Sequence, residues 1–156
     1  MPNVLGSVTS WGNVAKSVCI LAPATTANNA VPSAVDAGIP VYPDPKTGNS
    51  TGHAYPNTPP RKSTLVVKGV VDAGQTLVGT FTLWGYHPVL GWIEIPTNGG
   101  TAVTPVALAE TETDKITFFQ QYEDLGHYKR LYLQLTGIGG TGASYEAWLT
   151  TALEAC

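Results

Sequence analysis

Eight of the twelve prolines of this 156-residue chain fall between residues 23 and 60. Proline has no backbone N–H to give to a sheet ladder and fixes φ, so this stretch cannot run through the interior of a sheet. Pro40, Pro43 and Pro45 recur within six residues, Thr47-Gly48-Asn49 adds turn chemistry, and Pro59-Pro60 closes the stretch. Val31, Val35, Ile39, Val41, Tyr42 and Tyr55 make it too apolar for a purely solvated linker. The expectation is an extended arm over 23–60 that lies against a surface, its own or a neighbour's.

Beyond Lys62 the hydrophobic period changes to two. Residues 63–71 are β-branched and apolar and end at Asp72-Ala73-Gly74. Along 76–86, Phe81 and Leu83 fall on one face and Thr80, Thr82 and Trp84 on the other, the pattern of a half-buried strand. His87-Pro88-Val89-Leu90-Gly91 then reads as a five-residue hairpin loop leading into a returning strand over 92–95. Pro105 demotes 101–108 to an edge strand, whereas 114–121 and 129–138 are stronger strands. The segment 143–153 satisfies both strand and helix spacing, and a closing strand fits the preceding β pattern better.

Before the arm, 16–21 reads as one further strand, preceded by a turn at Trp11-Gly12-Asn13. Six or seven short strands at regular intervals predict an all-β fold, an antiparallel β-sandwich of jelly-roll-like or barrel-like type with an extended proline-rich N-terminal arm. The division is 1–62 for the N-terminal strand and arm, and 63–156 for the β domain.

Charged residues make up only 12% of the chain, about half the usual globular share, which favours extensive contact with other subunits. The formal charge of −3 comes with no cluster of Lys and Arg, so no nucleic-acid partner is expected. Arg61-Lys62 and Lys129-Arg130 read as solvated edges. No apolar run approaches bilayer length, and no basic stretch leads into an apolar segment after Met1, so synthesis in a cytoplasm and no membrane partner are expected. Asn49-Ser50-Thr51 matches a glycosylation sequon that has no secretory route to serve it. Cys19 and Cys156 are too few for a disulfide framework, and two reduced thiols are expected.

No arrangement of residues spells out a reaction. His53, His87 and His127 fall in expected loops and lack metal-pair spacing. Asp124 and His127 share one turn, where Asp124 suits local backbone amides. Glu94, Glu110, Glu112, Glu123 and Asp124 could supply the carboxylate pair of a glycosidase, but nothing sets two of them across a cleft. The glycines at 137, 139, 140 and 142 lack the downstream Lys and Ser/Thr of a phosphate loop and read as a tight turn. Neither enzymatic activity, metal nor cofactor is expected.

Trp84, Tyr86 and Trp92 cluster on or beside one hairpin, with Trp84 on the threonine face. Such rings can pack under the arm, anchor a subunit interface or stack on sugars. With Val41, Tyr42 and Tyr55 of the arm they form the expected interface set. The run Phe81-Thr82-Leu83-Trp84-Gly85, Gly91-Trp92-Ile93-Glu94-Ile95, Leu125 through Leu133, Gly139-Gly140 and Ala147-Trp148-Leu149 resembles small β-sandwich virion accessory proteins of tailed bacteriophages, over about 65–153. That resemblance implies a capsid decoration or cement protein on the outer surface of the phage head, partnered by the major capsid protein and by its own copies, with a trimer favoured. A glycan- or receptor-binding β module and a neck or tail completion protein are the alternatives.

Overall fold

A computed structural model of the chain describes residues 8–11, 15–41, 62–95, 106–110, 115–123 and 125–152. These residues form ten strands and one 3-10 turn, all strand pairs antiparallel, with no α-helix among them. The strands are β1 (Val8–Trp11), β2 (Ala15–Thr25), β3 (Ile39–Pro40), β4 (Lys62–Val70), β5 (Leu77–His87), β6 (Gly91–Glu94), β7 (Val106–Glu110), β8 (Lys115–Glu123), β9 (Arg130–Gly139) and β10 (Ser144–Ala152). One sheet runs β1-β2-β10-β4-β8; the other runs β3-β9-β5-β6, with β7 beside the first half of β5.

Alternation decides which face is inside. Along β5, Leu77, Phe81 and Leu83 are buried while Thr80, Thr82 and Trp84 are half-buried on the opposite face. Leu131, Leu133 and Leu135 of β9, Leu65 and Val67 of β4, and Tyr145, Ala147 and Leu149 of β10 keep the same period, and all belong to one hydrophobic cluster drawn from both sheets. Phe81 and Tyr145 meet across it edge to face, ring centroids 5.6 Å apart, and the Tyr145 hydroxyl donates to the Val78 carbonyl of the other sheet. The phenol thus brings its polar end to a partner while its ring fills the core.

The ambiguous segment 143–153 is therefore a strand, β10, with period-two burial. Other boundaries moved. β2 runs past the expected end at Leu21 to Thr25 because Pro23 falls where the pairing with β10 is irregular, between the Tyr145–Thr25 and Ala147–Leu21 pairs. Trp11 belongs to β1 instead of a turn. The hairpin loop shortens to Pro88-Val89-Leu90, since His87 pairs with Gly91. The weak edge strand begins at Val106, after Pro105. The core is continuous across residue 62: Val18, Ile20 and Leu21 of β2, and Ile39 and Val41, share it with the later strands.

Candidate binding surface

The described part of the proline-rich stretch is a strap, residues 28–41, bound to the edge of β9. Asn29 does the work of a strand residue there. Its backbone N–H donates to the Leu135 carbonyl at 3.1 Å, its side-chain Oδ1 accepts from the Leu135 N–H at 2.6 Å, and its Nδ2 donates to the Leu133 carbonyl at 3.0 Å. Asn28 Oδ1 accepts from the Ile138 N–H. An edge strand otherwise presents such groups unpaired, so these amides close the edge without a further strand.

From Ala30 the strap leaves the edge and arches over the outward side chains of this sheet. The Tyr132 hydroxyl donates to the Ala30 carbonyl at 3.0 Å, and the Trp92 indole N–H to the Ala34 carbonyl at 2.9 Å. Pro32, between those two anchors, is buried. The strap returns where Arg130 Nε and Nη2 donate to the carbonyls of Ala37 and Gly38, at 2.7 and 2.9 Å. Gly38 has φ of +70°, and a side chain there would run into the Leu131 carbonyl. β3 then pairs with Arg130 and Leu131, and the Val41 N–H donates to the Lys129 carbonyl.

Beneath the arch lies the aromatic row. Tyr86 and Trp92 pair across β5 and β6 with ring centroids 5.5 Å apart at 64°, and Trp92 meets Tyr132 at 6.2 Å and 65°. Trp84 pairs with Tyr132 across β5 and β9 and donates its indole N–H to Gln134 Oε1 at 3.0 Å. Burial raises the Tyr132 phenol above the ordinary tyrosine range.

At the end of the hairpin, Pro88, Val89 and Leu90 are exposed. His87 Nδ1 accepts from the backbone amides of both Val89 and Leu90, at 3.1 and 3.3 Å, so the turn is capped by the side chain that opens it. Gly91, φ +75°, lets the chain turn back into β6.

Of the expected interface residues, Trp84, Tyr86 and Trp92 come together, joined by Tyr132, and all are half-buried. Val41 does not join them: it is fully buried in the core, with no surface to offer a partner. Tyr42 and Tyr55 lie outside the described residues, as do His53, the sequon and Cys156. Arg130, expected at a solvated edge, is a clamp on the strap; Lys129 is exposed. Cys19 carries a free, buried thiol. Among the described residues no group of three or more His, Cys, Asp and Glu could hold a metal ion, and no helix is long and apolar enough to cross a membrane.

Sequence reasoning missed Asn28, Asn29, Arg130 and Tyr132. No local pattern marks them, because each bond joins residues about a hundred positions apart. No protein-family model matches this chain, and no curated protein or solved structure matches it either.

Proposed function

We propose that this chain is a non-enzymatic structural protein of a tailed-bacteriophage particle, a capsid decoration or cement protein that binds the assembled head from outside and stabilises it. On this reading the two sheets form a sandwich of jelly-roll-like or barrel-like type. The proline-rich stretch up to residue 60 serves as an arm toward the major capsid protein or a neighbouring copy, and the copies associate as trimers. The resemblance of 65–153 to small virion proteins supplies the setting.

The observation that carries the choice is how the outward aromatics are used. Stacking on a sugar needs a ring face turned to solvent. Here Tyr86, Trp92 and Tyr132 meet edge to face, the indole N–H groups of Trp84 and Trp92 are already bonded to Gln134 and Ala34, and the strap is tied over the row. That supports contact with protein over a glycan platform, on a chain with only 12% charged residues. A ligand that binds only the assembled shell stabilises it by mass action.

The test is addition of the purified protein to heads that lack it. The expected result is saturable binding over the whole shell and a higher temperature of head disruption. Binding confined to a single vertex would place the protein at a neck or tail, and specific binding on a glycan array would replace this reading with a sugar-binding one.

A further inference from the structure

The described residues before 42 are added to one flank of the later strands. In one sheet β2 pairs with β10, and β1 lies outside β2; in the other, β3 and the strap close the edge of β9. Without them β10 and β9, which follow one another in the chain, would each end their sheet. The core would also lose Val18, Ile20, Leu21, Ile39 and Val41. We infer that this flank is an exchange site between copies: β9 and β10 of one body receive β1, β2, the strap and β3 of a neighbouring copy, and each copy passes its own segment to the next. Such an exchange would build the trimer proposed above, and it rests on that reading.

Three observations favour this occupant. First, the seat is specific to this segment. The Asn29 side chain takes both the Leu135 N–H and the Leu133 carbonyl, and Arg130 collects the carbonyls of Ala37 and Gly38. Gly38 passes so close to the Leu131 carbonyl that a side chain would collide with it. A second copy carries the same segment, so these contacts form equally well between chains. Second, a single covalent connection, residues 42–61, leads from the segment to β4. The segment can therefore pass to a neighbour without threading a loop.

Third, that connection is longer than its own body requires. Lys62 pairs with Glu123, and the Val41 N–H donates to the carbonyl of Lys129, six positions beyond Glu123, so the two ends stand no more than about 30 Å apart. The connection has twenty residues, five of them proline, and a proline-rich chain of that length reaches about 60 Å. A body of this size is roughly 40 Å across, so a neighbour's flank is within reach. A stiff connection that overshoots its span loses the effective concentration that favours closure within one chain.

Ser17 and Thr150 report which chain fills the seat. They stand opposite each other across β2 and β10 with hydroxyl oxygens 2.9 Å apart, so a cysteine pair there is within disulfide reach. Ser17→Cys/Thr150→Cys is made in a Cys19→Ala/Cys156→Ser background, oxidised in the native state and run on a denaturing gel without reductant. A short bis-maleimide repeats the test if the disulfide does not close. Thermal unfolding of the reduced protein checks that it folds, and the buried Cys19 is kept if its alanine variant does not. The expected result is that most chains migrate as covalent trimers that reductant returns to single chains.

Single chains closed on themselves, with both thiols consumed, overturn the exchange; saturable head binding by that same oxidised protein leaves the decoration reading standing. Covalent trimers that fail to bind heads keep the exchange and overturn the decoration reading. Sedimentation of wild type as a monomer overturns the exchange together with the trimer.

Discussion

The strap over 28–41 and the turn over 88–90 are both irregular and both carry exposed aliphatic side chains, yet they are held by opposite means. Bonds from β9 and Trp92 hold the strap, reaching across 58 to 106 residues of chain. The turn is held by its own neighbour, through two bonds from Val89 and Leu90 to a ring two and three positions back. Local fixation draws on no distant segment. Distant fixation exists only while the sheet does, so the strap is part of the folded body's cooperative unit, whereas the turn sits on it.

The strongest way to break this contrast is at Gly38. An alanine there meets both the φ of +70° and the Leu131 carbonyl, and the strap must shift to admit it. Gly38→Ala is expected to lower unfolding free energy by about 2–4 kcal/mol. It should also speed amide exchange at Leu135 and Ile138, the β9 donors to the strap. Loss of stability without faster exchange at those two amides would mean that the strap does not move with Gly38.

Asn29→Ala asks the same question at the other end of the strap. The variant keeps the backbone bond to Leu135 and loses both side-chain bonds, leaving the Leu133 carbonyl and the Leu135 N–H to find water. About 1–3 kcal/mol of destabilisation is expected in a denaturant titration. Opening the β9 edge also predicts concentration-dependent self-association that Asn29→Gln, with the same groups on a longer stem, partly suppresses. Destabilisation by both variants with no self-association would assign the asparagine to stability alone.

How much of this was legible beforehand follows the same division. Alternation along β5 set Phe81 and Leu83 on one face without knowledge of any partner, because a strand's period alone decides its faces, and that face is the buried one. Residues 143–153 were harder, since Tyr145, Trp148, Leu149 and Ala152 also fit a helix. The burial of Tyr145, Ala147 and Leu149 against the half-exposure of Glu146, Trp148 and Thr150 is what selects the strand. Trp84, Tyr86 and Trp92 could be grouped from the hairpin they share. Nothing near Asn29 or Arg130 announces a strap, because an amide that imitates a strand residue and a guanidinium that collects two carbonyls depend on the approach of a distant segment. Val41 illustrates a related limit: an apolar residue in an irregular stretch gives no period to tell inside from outside, and the fold buries it in the core.

Alkaline pH separates the body from its attachments more gently. Burial pushes the Cys19 thiol from its ordinary 9.0 up to about 11, the Glu146 carboxylate adding in the same direction. Burial likewise raises the phenols of Tyr128, Tyr132 and Tyr145. Each group holds its proton more tightly folded than unfolded, so their contribution is complete below the unfolded values and is lost as pH rises through the folded ones. The denaturant midpoint is expected to fall from about pH 9 to about pH 11, the interval between the unfolded and folded values of Cys19, with the raised phenols adding to the fall above about pH 10. In a Cys156→Ser background, Cys19 should react with a thiol reagent only at the rate of global unfolding; rapid labelling of the native protein would place it outside the cooperative body.

The smallest effect is expected at His87, and it bears most directly on the turn. The ring accepts two amide hydrogen bonds through Nδ1, so the neutral ring carries its proton on Nε2. Both bonds are exposed and local, and neither reaches the shared core. His87→Ala is therefore expected to change global stability by no more than about 0.5 kcal/mol, while amide exchange at Val89 and Leu90 speeds about fivefold, the equivalent of one modest hydrogen bond. His87→Asn, which offers a shorter acceptor to the same amides, should recover part of that protection. If the turn were instead held by the body, as the strap is, protection at Val89 and Leu90 would survive His87→Ala and fall with Gly38→Ala. Opposite responses of the two loops to these two substitutions would establish that each is fixed by different means, the strap by folding and the turn by its own sequence.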